Sequence, residues 1–85
     1  MENIIAVFNN RNQAMQFASF LKRMGVGCKT TSTPRELSVS CGLSVVFSSS
    51  NMVQANYVLK NARFSAFGGF FRIVNNNIFK KYFPL

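Results

Sequence analysis

Histidine and tryptophan are absent from this 85-residue chain, and its only carboxylate side chains are those of Glu2 and Glu36. Without histidine, the chain can form neither a Ser-His nor a Cys-His pair for nucleophilic catalysis. Two scattered glutamates and two cysteines do not make an ordinary structural zinc site, and the two carboxylates do not suggest a glycosidase pair. Gly-rich phosphate-binding loops are also missing. We therefore expect a protein that is not an enzyme, with no metal and no cofactor; any catalysis would be thiol-based transfer.

Long apolar segments are missing as well. No apolar run approaches the roughly 20 residues that a transmembrane helix requires. The N-terminus begins Met1-Glu2-Asn3, which lacks the basic and apolar regions of a secretory signal peptide. These absences predict a cytoplasmic protein, in which Cys28 and Cys41 are free thiols because the compartment is reducing.

The composition is that of a folded protein with a basic surface. Hydrophobic residues make up 48% of the chain and charged residues 14%, which predicts a single small domain over residues 1–85. We place its core at about residues 2–74 and a C-terminal tail at residues 75–85. The net charge of +8 favours an anionic partner, although many small proteins simply have a solvated basic surface.

Hydrophobic periodicity predicts six elements in the order strand, helix, strand, strand, helix, strand. Their predicted bounds are Asn3–Phe8, Arg11–Met24, Val26–Ser32, Leu43–Phe47, residues 51–62 and Phe64–Val74. Asn9 or Asn10 is expected to cap the first helix, and Gly25 to end it. Gly68-Gly69 predicts either a bulge in the last strand or a two-residue hairpin loop that splits it.

This order predicts an α+β fold. We expect a ferredoxin-like β-α-β-β-α-β sandwich, with two helices on one face of a four-stranded antiparallel sheet. The tail is both apolar and basic, so it could cover a sheet edge, join two protomers in a homo-oligomer or touch an anionic surface. Packing onto its own domain or a symmetry mate is favoured, because small domains need additional burial.

The segment Thr33–Gly42 is the chemically richest part of the chain, because it places the Cys41 thiol near a cation and two hydroxyl groups. A thiol becomes reactive as its thiolate, which nearby positive charge and hydrogen-bond donors stabilise. Arg35 would supply the charge, and Ser38 and Ser40 would supply hydroxyl groups. The alternative is that Cys41 is a buried, unreactive side chain, as free cysteines often are.

The other residues of this segment are expected to shape the backbone. Thr33, Pro34 and Glu36 have the spacing of a capping box, which predicts a helix of one or two turns that begins at Pro34. Gly42 would permit positive φ and let another molecule approach the sulfur closely. Cys28 would act as a resolving thiol if the second strand runs beside Cys41; the alternative is a cysteine buried in a strand.

The run Thr33-Pro34-Arg35-Glu36-Leu37-Ser38, followed by Ser40-Cys41-Gly42, resembles the signature of a family of short bacterial selenium/sulfur carrier proteins. The resemblance extends more loosely over about residues 2–74. It implies that Cys41 is a carrier thiol, with donor and acceptor proteins as partners. In this interpretation Arg35 stabilises the anion, while Ser38, Ser40 and the amide after Gly42 position it.

Two further hypotheses involve no thiol chemistry. In the first, the protein is a nucleic-acid-binding module, because a basic chain with this fold could stack bases on its sheet. Phe67, Phe70 and Phe71 do not match the RNA-recognition consensus, however, so we expect a core role for them and do not favour this hypothesis. In the second, the chain is an interaction subunit that uses its sheet edge or tail.

Overall fold

Two α-helices pack on an antiparallel sheet in the computed structural model of the protein, which describes residues 2–37, 42–75 and 80–85. The elements are β1 (Asn3–Phe8), α1 (Arg11–Arg23), β2 (Cys28–Ser32), β3 (Leu43–Ser48), α2 (Met52–Asn61), β4 (Phe67–Asn75) and β5 (Lys80–Pro84). The strand order is β2-β3-β1-β4-β5, with every neighbouring pair antiparallel. The predicted α+β class is confirmed. The predicted four strands are wrong, since the described residues form five.

Both ends of α1 are closed by local hydrogen bonds. The side chain of Asn10 accepts a bond from the Gln13 amide at 3.0 Å, which confirms the predicted N-cap. At the other end, Gly25 has a φ of +81° and its amide donates to the Lys22 carbonyl. The Val26 amide donates to the Leu21 carbonyl, which completes a Schellman motif. Because Val26 serves this cap, β2 begins at Cys28, two residues later than predicted.

The core lies between the helices and one face of the sheet, which we call the helix-side face. Its centre is a cluster of phenylalanine rings with centroids 5.0 to 6.4 Å apart: Phe8, Phe17, Phe47, Phe64, Phe67 and Phe70. Alternate residues of β1 and β3 join the same cluster, as the two-residue period of a strand requires. The predicted core role is confirmed for Phe67 and Phe70 but is wrong for Phe71, which does not belong to this cluster.

Helix α2 follows a short 3₁₀ turn at Ser49–Asn51. The Ser48 hydroxyl accepts a hydrogen bond from the Ser50 amide and caps this turn, whereas α2 itself has no side-chain cap. The buried residues of α2 are Ala55 and Val58. Val58 faces the core, whereas Met24, the residue that follows α1, is exposed.

A bulge marks the start of β4. Val7 pairs with Gly69 while Phe8 pairs with Phe67, so Gly68 is an extra residue opposite β1. Gly69 has a φ of +120°, a conformation that L side chains rarely adopt. Of the two alternatives predicted for this glycine pair, the bulge is therefore correct.

The predicted tail contains β5, which pairs with β4 of the same chain from Phe71↔Pro84 to Asn75↔Lys80. The expectation that the tail packs onto its own domain is thus confirmed for Lys80–Pro84. This segment was placed in a tail because its two lysines and its proline do not follow the alternating apolar and polar pattern that predicts a strand.

Candidate functional site

The segment Thr33–Gly42, which is predicted to carry the chemistry, has its first and last residues joined by a hydrogen bond. The Thr33 amide donates to the Gly42 carbonyl at 3.2 Å, one step beyond the last β2–β3 pair, Ser32↔Leu43. This bond closes the base of an eight-residue connection, residues 34–41. Of that connection, the structure describes residues 34–37. Cys41, Ser38 and Ser40 lie outside the described residues, so their predicted roles stay predictions.

Gly42 lies in a place where no larger residue fits. A Cβ atom on Gly42 would lie 2.5 Å from the carbonyl oxygen of Phe8 and 3.0 Å from Oγ1 of Thr33. Glycine is required at this position because the backbone of β1 approaches the base of the loop this closely.

Thr33 contacts the third strand through its side chain. Its Oγ1 lies 2.7 Å from Oγ of Ser44, and the two hydroxyl groups share a hydrogen bond. Ser44 is fully buried, so Thr33 is its partner in a place that water does not reach. Of the short helix predicted to begin at Pro34, the structure describes residues 34–37. In that part Arg35–Leu37 form a turn rather than a helix, and the Leu37 amide donates to the Pro34 carbonyl at 3.0 Å.

The turn after Thr33 lies against the sheet face that is not covered by the helices, which we call the open face. Pro34 lines a cavity of about 600 Å³ on this face, together with Ile5, Val46 and Tyr82. Burial, and secondarily the negative charge of Glu36, raise the pKa of the Tyr82 hydroxyl. The motif segment therefore lies close to β5 across the open face.

Arg35 and Glu36 are both exposed in this turn. Glu36 thus carries its charge at the surface, where it acts on Tyr82. Arg35 is the predicted cation for the thiol and is accessible to solvent or to a partner. The geometry places Thr33, Pro34 and Gly42 at the loop base and Arg35 and Glu36 on its outer turn.

Cys28 lies far from the loop base. It pairs with Phe47 at one end of the β2–β3 ladder, whereas Gly42 precedes Leu43 at the other end. Five residues of strand separate Gly42 from Phe47, which corresponds to roughly 16 Å. The Cys28 thiol donates to the Ala18 carbonyl at 3.6 Å. Burial raises the pKa of this thiol, and the opposing effect of Lys22 is smaller, so Cys28 stays protonated at neutral pH.

Sequence reasoning missed three residues that shape this region: Ser44, Phe8 and Tyr82. The signal for Ser44 was a hydroxyl in an otherwise apolar strand, Leu43-Ser44-Val45-Val46-Phe47. Nothing in the sequence indicates that the Phe8 carbonyl crowds position 42, because this crowding depends on which distant strands pair. Tyr82 was hidden in the unassigned tail.

The open face offers little for base stacking on its central strands. The residues of β1 and β3 that face this side include Ile5 and Val46, both aliphatic. Aromatic residues on this face lie farther out, with Phe71 on β4 and Tyr82 on β5.

The described residues form neither a metal-binding cluster nor a membrane-spanning helix. Within residues 2–37, 42–75 and 80–85, no group of three or more His, Cys, Asp and Glu residues could hold a metal ion. No helix in the same ranges is long and apolar enough to cross a membrane.

Comparison with known proteins identifies the family. No curated protein and no solved structure matches the chain. The family model described as "Putative Se/S carrier protein-like" matches residues 3–68, a stretch that includes the whole of Thr33–Gly42 and ends at the first glycine of the pair, Gly68. Most of β4 and all of β5 lie outside the match. Since the match covers well over half of the chain, this protein belongs to the Se/S carrier protein-like family.

Proposed function

We propose that this protein carries sulfur or selenium on Cys41, as a persulfide or selenosulfide, between a donor and an acceptor protein in the cytoplasm. The observation that carries the proposal is the family match, because it covers the complete Thr33–Gly42 motif that contains Cys41. The architecture around the motif supports it, since the loop base is fixed on both sides by backbone and side-chain contacts.

The transfer is a thiol exchange that needs no external oxidant. The Cys41 thiolate attacks the outer sulfur of a donor persulfide, R–S–SH. A new S–S bond forms on Cys41, the donor's S–S bond breaks, and its electron pair leaves on the donor as R–S⁻. An acceptor thiolate then attacks the outer sulfur of the Cys41 persulfide, and Cys41 departs as a thiolate. A selenosulfide transfers selenium by the same two displacements.

The residues of the motif divide into two groups in this proposal. Thr33 and Gly42 hold the base of the loop: they share a backbone hydrogen bond, and Gly42 fits beneath the Phe8 carbonyl. Arg35 lies exposed on the turn, where its charge is available to stabilise a thiolate or a bound anion. Ser38 and Ser40 would donate hydroxyl hydrogen bonds to the carried atom.

Cys28 is assigned a structural role in the proposal. Its thiol is held by the Ala18 carbonyl, and burial keeps it protonated. A disulfide requires Cα atoms roughly 4.4 to 6.8 Å apart, which the separation along the β2–β3 ladder does not favour. Resolution of a persulfide is therefore expected to use a thiol of the acceptor rather than Cys28.

The fold proposed for the carrier is a ferredoxin-like core extended by one strand. The first four strands have the order β2-β3-β1-β4, with both helices on one face, as a split β-α-β arrangement requires. Strand β5 then adds to the edge of β4. A nucleic-acid-binding function is less well supported, because Phe67 and Phe70 are in the core and the central strands present Ile5 and Val46.

Mass spectrometry of the intact protein tests the carrier function. The protein is treated with glutathione persulfide and measured before and after a reductant. We expect a gain of one sulfur atom that the reductant removes, that is lost in Cys41→Ser and that persists in Cys28→Ser. A gain that survives Cys41→Ser at full occupancy would show that Cys41 is not the carrier.

The role of Arg35 needs a separate measurement, because a structural effect could also reduce loading. The rate of Cys41 alkylation by iodoacetamide is followed against pH in a Cys28→Ser background. Arg35→Gln is expected to move this profile to higher pH, since a stabilising charge is removed. Arg35→Lys should restore most of the original profile. An unchanged pH profile in Arg35→Gln would show that Arg35 does not stabilise the Cys41 thiolate.

A further inference from the structure

The outer side of the helices exposes large apolar residues. Five of them have relative exposures of 37% or more: Met15, Phe20, Met24, Val53 and Tyr57. Four of the five, all except Val53, line hollows in this surface. Exposed apolar residues that are grouped in this way mark contact surfaces more often than scattered ones do.

Two adjoining hollows form a groove along this side. The larger, of about 650 Å³, lies between α1 and the segment that leads from α2 into β4, with Met15 and Phe64 on its walls. The smaller, of about 220 Å³, lies between the C-terminal ends of the two helices and is lined by Met24 and Tyr57. Phe20, Arg23 and Ala62 line both hollows, so we call the two together the helix groove.

The residue types of the helix groove are those of a protein interface. Aromatic residues, methionine and arginine are enriched in the buried centres of such interfaces, whereas lysine and acidic residues are depleted. The groove has Phe20, Phe64 and Tyr57, the methionines, and two arginines, Arg23 and Arg63. The Arg23 guanidinium lies 5.7 Å from the centre of the Phe20 ring, so charge and apolar surface are already adjacent.

The charge around the groove has a single sign. The two helices and the segment after α2 carry five cationic residues and no carboxylate: Arg11, Lys22, Arg23, Lys60 and Arg63. Both carboxylates of the chain lie elsewhere. Glu2 approaches Arg72 at 3.8 Å, and Glu36 lies in the turn near Tyr82. A complementary partner must therefore bring negative charge.

The concave shape favours a protein segment over a membrane or a nucleic acid. A bilayer contacts protruding apolar residues and leaves hollows unfilled. A single-stranded nucleic acid requires aromatic faces that are free to stack on bases. Here Phe64 packs edge-on against Phe17 and Phe20. An apolar side chain of a partner can instead insert into the smaller hollow, as anchor residues do.

The larger hollow of the groove is connected through packed side chains to the base of the carrier loop. The Phe64 ring in the groove wall lies 5.6 Å from the Phe8 ring, measured between centroids. The carbonyl oxygen of the same Phe8 is the atom that crowds Gly42. A single residue therefore connects the groove to the base of the loop that contains Cys41. A partner bound in the groove would be within reach of this end of the molecule.

We propose that the helix groove binds an acidic segment of a partner protein, with an apolar anchor in the smaller hollow and carboxylates paired with Arg23 and Arg63. The purpose of this contact rests on the proposed carrier function, because it would hold a donor or acceptor near Cys41. The binding itself requires no thiol, so the two proposals can fail separately.

A peptide titration followed by NMR tests this surface. The probe is a synthetic amphipathic helix of about 16 residues, with Leu and Phe on one face and Glu on the other. We expect amide shifts in α1, α2 and Ala62–Phe64, and weaker binding as salt is added. The double variant Arg23→Glu/Arg63→Glu should weaken binding by at least about tenfold. Tyr57→Ser should weaken it by about fivefold through loss of anchor contact.

Matched controls distinguish a groove from general charge attraction. Lys29→Glu/Lys80→Glu makes the same change in net charge on the open face and should alter binding by less than about twofold. A peptide with Lys in place of Glu should not bind. Equal losses in the two double variants, or shifts centred on the open face, would overturn the proposal. So would tighter groove binding by anionic vesicles or single-stranded RNA than by the peptide.

The Cys41→Ser variant separates this proposal from the carrier function. Peptide binding should be unchanged in Cys41→Ser, because the groove contains no thiol. If the peptide binds but sulfur loading fails in the parent protein, the groove stands and the carrier function falls. If loading succeeds but no acidic peptide binds, the carrier function stands and the groove proposal is wrong.

Discussion

The two faces of the sheet differ in the kind of contacts that their residues make. On the helix-side face, six phenylalanine rings and the apolar residues of both helices form a continuous cluster. On the open face, the contacts near the motif are a pair of hydroxyl groups, Thr33 and Ser44, and a glycine fitted beneath a carbonyl. Apolar burial stabilises the fold, whereas polar and steric contacts fix where the loop begins and ends. We therefore expect changes on the helix-side face to cost more stability than changes at the loop base.

The largest effect is expected on the helix-side face. Phe17→Ala should lower the free energy of unfolding by about 4 kcal/mol, because Phe17 is fully buried and contacts several other rings. Denaturant unfolding followed by circular dichroism measures the loss. Tyr57→Ala, an exposed aromatic of α2, is the matched control and should change stability by less than about 0.5 kcal/mol. A loss below about 1 kcal/mol in Phe17→Ala would contradict the conclusion that apolar burial on the helix-side face stabilises the fold.

The next effect concerns the loop base. Gly42→Ala should cost about 3 kcal/mol, because the new methyl group collides with the Phe8 carbonyl and neither backbone can withdraw without disturbing the β1–β3 pairing. Gly27→Ala is the matched control, since its Cβ meets no atom within 4 Å and its φ is not positive. Its stability should be unchanged or raised by up to about 1 kcal/mol. Similar values for the two variants would show that the close approach is relieved at little cost.

A smaller effect is expected from the hydroxyl pair. Thr33→Val should cost about 1 to 2 kcal/mol, because it leaves the buried Ser44 hydroxyl without its partner. The double variant Thr33→Val/Ser44→Ala removes both hydroxyl groups and should recover most of that loss. Thermal unfolding of the parent, both single variants and the double variant gives the coupling between them. Additive losses would mean that the two hydroxyl groups do not stabilise each other.

The smallest effect is a shift in the Tyr82 titration. Glu36→Gln should lower the pKa of Tyr82 toward its ordinary value, because one of the two causes that raise it is removed. Absorbance at alkaline pH measures this in a Tyr57→Phe background, where Tyr82 is the remaining tyrosine. Glu2→Gln serves as the control charge change and should leave the curve in place. An unchanged Tyr82 titration curve in Glu36→Gln would show that the charge of Glu36 on the motif turn does not act on Tyr82 of β5.

The sign of the Tyr82 contribution to stability follows from linkage. Its pKa is raised in the folded protein, so the folded state holds the proton more tightly than the unfolded chain. The contribution is fully present below the unfolded pKa, which is about 10, and is lost as the pH rises through the folded value. We therefore expect alkaline unfolding to begin slightly earlier in the parent than in Glu36→Gln.

Local signals in the sequence predicted most of the helix-side architecture. The bounds of β1 and the two ends of α1 follow from an apolar run, an asparagine and a glycine, each acting within a few residues. The motif segment was less predictable. Over the described residues that follow Thr33, its capping-box pattern gives a turn, and the Thr33 hydroxyl bonds instead to Ser44, eleven residues away on β3. A partner so distant in sequence leaves no periodic signal.

The fifth strand was missed for a related reason. The apolar residues of Lys80–Pro84 do not alternate clearly, and Pro84 is unusual in a strand unless it lies at an edge. Gly42 was singled out for its conformational freedom and the access it gives to the sulfur. The crowding that requires glycine there was not predicted, because the crowding atom belongs to Phe8 on another strand. In both cases the missing information is which strands pair, and that is decided by the whole fold.

Because β5 pairs with β4, the two edge strands of the sheet are β5 and β2, and they differ in how readily each could pair with another strand. A foreign strand that approached β5 would meet adjacent lysines, Lys80 and Lys81, and a proline that has no amide hydrogen to donate. On the opposite border, β2 offers Cys28, Lys29 and a run of hydroxyl-bearing residues with ordinary amides. If copies of this protein ever stack into fibrils during expression or storage, growth should therefore start at β2.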